Sequence, residues 1–150
     1  MEGKEPIFHG WGLIEYSDGH SYEGDFRYGV RSGIGKLTVD QYTYSLGNWS
    51  DDKLNGLAYS VAPIPDYDKD YFNKYFGYWK DNNKHGFIIQ QKANAKLPWY
   101  ASAYNFIDSG IFENDIKIGC HEVIGRNYTR RQLSKGLQKI DTSYLNYRNY

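Results

Sequence analysis

Hydrophobic positions along this chain are set mostly by aromatic rings held between glycines. One frame recurs four times: Gly, any residue, Phe or Trp, six more residues, then Gly. Its copies are Gly24-Asp25-Phe26 to Gly33, Gly47-Asn48-Trp49 to Gly56, Gly77-Tyr78-Trp79 to Gly86, and Gly110-Ile111-Phe112 to Gly119. Tyr22 and Tyr75 precede their first glycine by two positions, where the second and fourth copies carry Ser45 and Asp108. With Gly10 included, the closing glycines step by 23, 23, 30 and 33 residues, which places a partial unit ahead of the first complete frame. Within a unit, Tyr22 to Phe26 reads as a short strand, the stretch from Phe26 to Gly33 carries a turn, and Ile34 to Val39 reads as a second strand. This period is too short for a strand plus a crossover helix and suits a hairpin plus its link. The pattern therefore predicts an all-β chain, an elongated solenoid of stacked antiparallel β-hairpins, each unit burying its face against its neighbours.

Beyond Gly119 the glycine frame stops. Thr129 and Gln132 form a capping box, and Leu133, Leu137, Ile140 and Tyr144 follow at helical spacing, so a C-terminal helical segment is expected. Its role is open between capping the raw end of the sheet and docking on a partner. Two insertions, near residues 60–72 and 90–102, interrupt the array. The first contains Pro63 and Pro65, which argue against a regular central strand and for a projecting loop. The second ends in Pro98-Trp99-Tyr100, and insertions in repeat arrays commonly share the binding face. The organisation that emerges is a repeat array over residues 1–122 and a basic, partly helical capping or docking segment over residues 123–150.

The frame resembles the MORN repeat (membrane occupation and recognition nexus), usually Tyr-x-Gly-x-Trp or Phe, then x-x-Gly-x-x-x-Gly-x-Gly. Tyr22-Glu23-Gly24-Asp25-Phe26-Arg27-Tyr28-Gly29-Val30-Arg31-Ser32-Gly33-Ile34-Gly35 matches it nearly in full. Later units depart from it: Asp52, Asn82 and Asp115 stand in the place of Gly29, and Ala58 and Ile88 in that of Gly35. Asp and Asn tolerate turn conformations, so the hairpins survive the first set of changes. The resemblance covers roughly Phe8 to Gly119 and implies hairpins stacked into an elongated, twisted sheet. It also implies structural roles for Gly24, Phe26, Gly33, Gly47, Trp49, Gly56, Gly77, Trp79, Gly86, Gly110, Phe112 and Gly119.

Composition narrows the function. Lys plus Arg and Asp plus Glu both number 18 in 150 residues, so no whole-chain charge draws the protein to nucleic acid, and none is expected as a ligand. Charge does separate along the chain: residues 117–150 carry seven basic side chains against two acidic, and residues 1–116 carry 11 against 16. Arg126, Arg130, Arg131, Lys135 and Lys139 form a natural contact group for an acidic partner. A single cysteine, Cys120, excludes an intrachain disulfide framework and fits a reducing compartment. No apolar run approaches the length of a membrane helix and the N-terminus lacks a signal-peptide hydrophobic region, which points to a soluble intracellular protein.

No set of residues converges on catalysis, and no metal or cofactor is called for. His9 and His85 both precede a closing glycine and read as hairpin residues; a histidine there is common in the resembled family. His121 beside Cys120 supplies too few ligands for a metal, and adjacency does not provide the opposed geometry of a Cys-His nucleophile. Asp66, Asp68 and Asp70 alternate like a calcium loop but lack its glycine and closing Glu. A non-enzymatic interaction scaffold is therefore expected, with protein partners in a larger complex. Trp99, Tyr100 and the five basic residues above are its candidate contacts. Small stand-alone relatives act in cytoskeletal, ciliary or flagellar assemblies, which implies a cytoplasmic, cytoskeleton- or cilium-associated protein. Gly110-Ile111-Phe112-Glu113-Asn114, followed by a basic segment, is similar to short retinophilin-like members that bind a myosin tail. Family repeats also accompany lipid kinases, methyltransferase domains and exchange factors, so the alternative is a peripheral membrane tether for anionic lipid or an enzyme-regulating module.

Overall fold

A computed structural model of the chain describes residues 7–65, 70–94, 96, 107–125 and 128–134. Its strands are β1 (Gly10–Glu15), β2 (Ser21–Arg27), β3 (Val30–Thr38), β4 (Tyr44–Ser50), β5 (Lys53–Pro63), β6 (Tyr71–Lys80), β7 (Asn83–Asn94), β8 (Ile107–Glu113), β9 (Ile116–Gly125) and β10 (Tyr128–Ser134). They form one ten-stranded sheet in chain order, with every neighbouring pair antiparallel. The all-β expectation holds, and the glycine frame marks one hairpin each time it occurs.

Two-residue turns close those hairpins. Tyr28-Gly29, Asp51-Asp52, Asp81-Asn82 and Asn114-Asp115 all have positive φ at both positions, between 48° and 83°. Such turns match the right-handed twist of the flanking strands, and Asn, Asp and Gly tolerate them best. The second turn residue also docks on the hairpin before it. The backbone N–H groups of Gly29, Asp52, Asn82 and Asp115 donate to the carbonyls of Phe8, Arg31, Leu54 and Lys84 at 2.8, 3.2, 3.0 and 3.0 Å. Where the residue is Asp or Asn, its Oδ1 accepts the backbone N–H of the same partner: Arg31 at 2.8 Å, Leu54 at 2.7 Å and Lys84 at 3.0 Å. The changes from Gly29 to Asp52, Asn82 and Asp115 thus add a second bond between units that glycine cannot make.

The hairpins pack through rings laid over bare backbone. A Cβ on Gly35 would overlap the Tyr22 ring, which occupies the space a side chain would need. That ring stands edge-on to Phe26 at 5.1 Å and to Trp49 at 5.4 Å, and all three are buried with Leu54 and Ala58. Trp49 Nε1 donates to the Gly35 carbonyl at 2.9 Å, so its polar edge is satisfied inside the core. The residue two before a closing glycine packs among the rings beside it. Phe8 meets Phe26 at 5.9 Å, the Arg31 guanidinium lies 4.7 Å from Trp49, Leu54 is buried, and Lys84 Nζ lies 4.8 Å from Tyr75 and 5.6 Å from Trp79. Apolar and cationic side chains serve the same position because a ring face attracts both.

Three expectations change. Thr129, Gln132 and Leu133 do not open a helix: they lie in β10, which continues the register of β9 through Gly125↔Tyr128 and Gly119↔Ser134. Sheet pairing along an available β9 edge prevails over local helical spacing there; Leu137, Ile140 and Tyr144 lie outside the described residues. The sheet therefore continues through residue 122 and on to Ser134. Nor do the insertions simply project. Ser60 to Pro63 pair with Tyr75 to Phe72, and Tyr71 to Asn73 pair with Asn94 to Lys92, so residues at the start of both insertions and at the end of the first lengthen β5, β6 and β7, while 66–69, 95 and 97–102 lie outside the described residues. Pro63 sits at the end of β5, where its missing N–H costs the ladder least.

Trp49→Ala should lower stability by about 3–5 kcal/mol, and Trp79→Ala by less, since Trp79 is only partly buried. Asn82→Gly keeps the positive φ but loses the bond to Leu54, so we expect a loss of about 1–2 kcal/mol. Asn82→Ala should cost about 1 kcal/mol more, because alanine is strained at that φ. Urea midpoints of the four variants check the order.

Candidate interaction surface

The two faces of the sheet differ sharply in exposure. Along β2, β4, β6 and β8 the positions carrying the frame's glycine and ring face the packed side, while the intervening positions point to solvent. An antiparallel sheet with one free face usually carries polar residues there. Here the free face carries Trp11, Leu13, Ile34, Leu46, Leu57, Phe76, Tyr78, Phe87, Ile89 and Ile111, all exposed. Cross-strand register assembles the central ones into rows. Leu46, Tyr59, Phe76 and Ile89 are successive partners across β4, β5, β6 and β7. Leu57 opposes Tyr78, and Phe87 opposes Ile111, one pleat away. Phe76, Tyr78 and Phe87 are 47%, 58% and 50% exposed, so a contiguous apolar area faces solvent.

The packed face holds a buried polar pair in the fourth unit. Asp108 stands where Tyr22 stands in the first complete unit, and His121 where Gly35 stands; they are 3% and 1% exposed. The His121 ring lies over Gly110, where a Cβ would overlap it, and edge-on to Phe112 at 5.3 Å. Its Nδ1 meets Asp108 Oδ1 at 3.0 Å and its Nε2 meets the Ile111 carbonyl at 2.9 Å; Asp108 Oδ2 accepts from the Lys117 ammonium. Both imidazole nitrogens therefore lie within hydrogen-bonding distance of protein oxygens. A tyrosine over a glycine has been replaced by an acid hydrogen-bonded to a histidine that fills the same volume. Sequence reasoning placed His121 next to Cys120 and missed this pairing. The available signal was that both departures from the frame fall at diagonally neighbouring positions on the packed face of one hairpin.

Elsewhere, Asp115 is partly buried, which alone would raise its pKa; hydrogen bonds from the Lys84 side chain and backbone N–H, with the Lys84 charge, hold it below the usual carboxylate value. Burial pushes the Tyr22 phenol up to about 12, opposed by Arg31. Cys120 is exposed in β9. His9 lies beside the Tyr28 ring at 5.5 Å, and His85 lies in β7. Asp70 pairs with Lys96 at 2.7 Å, while Asp66 and Asp68 lie outside the described residues. Among the described residues no three His, Cys, Asp or Glu side chains gather as a metal site. Of the candidate partner contacts, Arg130 and Arg131 fall in β10 opposite Val123 and Glu122. Trp99, Tyr100, Lys135 and Lys139 lie outside the described residues, as does Arg126.

These features define a single-sheet antiparallel repeat protein with rings packed over glycine. Comparison with protein families finds the MORN repeat at residues 22–38 and 75–87. The two matching segments are the ones that keep tyrosine at the head of the frame, Tyr22 and Tyr75, and the motif supports assignment at the level of that family. MORN-repeat proteins are generally non-catalytic scaffolds. Comparison with curated proteins gave no match.

Asp108→Tyr should clash with His121 and destabilise the fourth unit, and His121→Gly should leave Asp108 short of a partner. The double variant rebuilds the Tyr22–Gly35 arrangement, so the two costs should fail to add by about 1–3 kcal/mol in a double-mutant cycle; additive losses in urea unfolding would contradict the substitution of one filler for the other. Tyr22 contributes a separate pH effect. Between the unfolded pKa of 10.0 and the folded value of about 12, the unfolded chain releases a proton that the folded chain keeps. Stability should fall across that window as pH rises, and Tyr22→Phe should flatten that part of the stability–pH curve.

Proposed function

We propose that this chain is a protein–protein interaction scaffold or adaptor, a solenoid of repeats working as a structural subunit of a cytoskeletal, ciliary or axonemal assembly in the cytoplasm. The observation that supports it is the exposed apolar face of a one-layer sheet. Sheets usually bury an apolar face against a second layer, and a partner can provide that layer. The MORN motif at two of the frames favours the same reading. A motor-associated polypeptide, as the similarity to retinophilin-like proteins suggests, is one partner of this kind. A second reading, peripheral binding to anionic lipid, rests on the excess of seven basic over two acidic residues in 117–150. That attraction would be modest and dependent on salt.

Full-length tagged protein, purified from its native cells in moderate salt and mild detergent, should retain cytoskeletal or axonemal proteins at fixed stoichiometry by mass spectrometry. Recovery with membranes alone, lost as salt rises, would replace the scaffold by the lipid reading. Deletion of residues 135–150 spares the ten strands of the described residues and is expected to weaken partner retention more than it lowers the urea midpoint.

A further inference from the structure

The four strands at the centre of the exposed face share a charge pattern that the composition of the whole chain conceals. β4, β5, β6 and β7 contain no Asp or Glu, yet they contain Lys53, Lys74, Lys80, Lys84 and Lys92. The nearby carboxylates Asp51, Asp52 and Asp81 lie in the two-residue turns, where Asp52 bonds Arg31 and Asp81 pairs with Lys53. On the face itself, Lys36 is the β3 partner of Leu46 and bounds the apolar row Leu46–Tyr59–Phe76–Ile89, with Glu23 as its own partner on β2. Lys74 lies two residues before Phe76 along β6, and Lys80 two residues after Tyr78. Among the described residues no ion pair is recorded for any of these three; Lys36 and Lys74 are held only over ring faces, 4.8 Å from Tyr44 and 5.6 Å from Phe72. An apolar strip bounded by lysines on three sides is the result.

We infer that this strip binds an amphipathic helix whose apolar stripe is flanked by Asp and Glu, an inference that rests on the scaffold reading above. Geometry favours a helix over an extended strand. Strand addition uses a sheet edge, whereas these residues lie on a face, and covering a sheet face with a helix is the ordinary two-layer solution. Four adjacent strands span roughly 14 Å at about 4.8 Å per spacing, which two to three turns of helix cover at about 1.5 Å per residue. Charge then discriminates among occupants. A second copy packed face to face would bring a second set of the same lysines into one interface. The C-terminal segment of this chain is itself basic, seven against two over residues 117–150. An anionic bilayer would meet the 16 acidic and 11 basic residues of the remaining body, whose net charge opposes approach, while carboxylates on a bound helix need only the local lysines.

The test uses the full chain and three synthetic peptides of about 15 residues. The first carries leucines at i, i+3, i+4 and i+7 with Glu flanks, the second has Lys in place of Glu, and the third has the composition of the first in scrambled order. Vesicles of phosphatidylcholine and phosphatidylserine serve as the lipid arm. We expect the Glu-flanked peptide to bind at least about tenfold more tightly than either other peptide. The double variant Phe76→Asp/Phe87→Asp should lose at least about tenfold of that binding with its β circular dichroism unchanged, since both rings are exposed. Lys36→Glu/Lys74→Glu/Lys80→Glu should reverse the preference toward the Lys-flanked peptide.

Equal binding of all three peptides, no binding of any, or insensitivity to both sets of substitutions would overturn the inference. So would vesicle binding that depends on Phe76 and Phe87 while the peptides stay free. Repeating the native-cell purification with Phe76→Asp/Phe87→Asp separates the two levels of argument. Stoichiometric partners that survive the change leave the scaffold standing and remove this face from it; no stoichiometric partner even for the unaltered chain removes the scaffold.

Discussion

Close approach of a ring to a backbone without a side chain is the interaction on which this sheet depends. Tyr22 occupies the volume a Gly35 side chain would claim, and the Trp49 indole, bonded to the Gly35 carbonyl, continues the packing into the next hairpin. Among the described residues no second layer excludes water from the packed face of the sheet. Large rings lying across the strands supply that exclusion with few residues, which is how a chain with only 32 Leu, Ile, Val and Phe can bury a core. Variation between units follows the same constraint. Ser45 and Ala58 are both small and the ring is lost, with Ser45 and Ser60 bonded Oγ to Oγ at 2.9 Å in that space. In the fourth unit the filler comes from the other strand, as His121, and Asp108 completes its hydrogen bonding.

Turn docking supplies the coupling between units. A two-residue turn with positive φ projects its second N–H toward the preceding hairpin, and Asp52, Asn82 and Asp115 add a side-chain acceptor to the same residue. The residue that receives the turn also packs among the rings. Backbone bonding and ring packing therefore converge on Arg31, Leu54 and Lys84, so that displacement of one hairpin disturbs two kinds of contact with its neighbour. Such nearest-neighbour coupling allows a repeat to lengthen without loss of register, as β5, β6 and β7 do.

Packing of this sort leaves the opposite face unconstrained by the fold. Leu57, Phe76, Tyr78 and Phe87 have no structural task inside the sheet, and polar residues would serve solubility better at those positions. Their presence beside lysines, on four strands that carry no carboxylate, is the basis for proposing that face as a recognition surface. The same separation explains why formal neutrality over the whole chain says little about the local surface: β4 to β7 carry five lysines and no carboxylate.

Much of the architecture is legible in the sequence because glycine and ring spacing report sterics directly. The hairpin period, the turns at Asp52, Asn82 and Asp115, and the packed roles of Phe26, Trp49 and Phe112 follow from residue type and separation alone. Other features depend on which strand lies beside which. Thr129 to Leu133 carry a helical signature, but the edge of β9 draws them into β10, since pairing partners are absent from any local pattern. Pro63 and Pro65 read as a projecting loop, while cross-strand register draws Ser60 to Pro63 and Tyr71 to Phe72 into longer strands. The Asp108–His121 pair joins residues separated by a turn, and the apolar rows join residues from four strands. Alternation within each strand determined which residues share a face; only the register of the assembled sheet decided which of them become neighbours, because that choice is made by hydrogen bonds between strands distant in sequence.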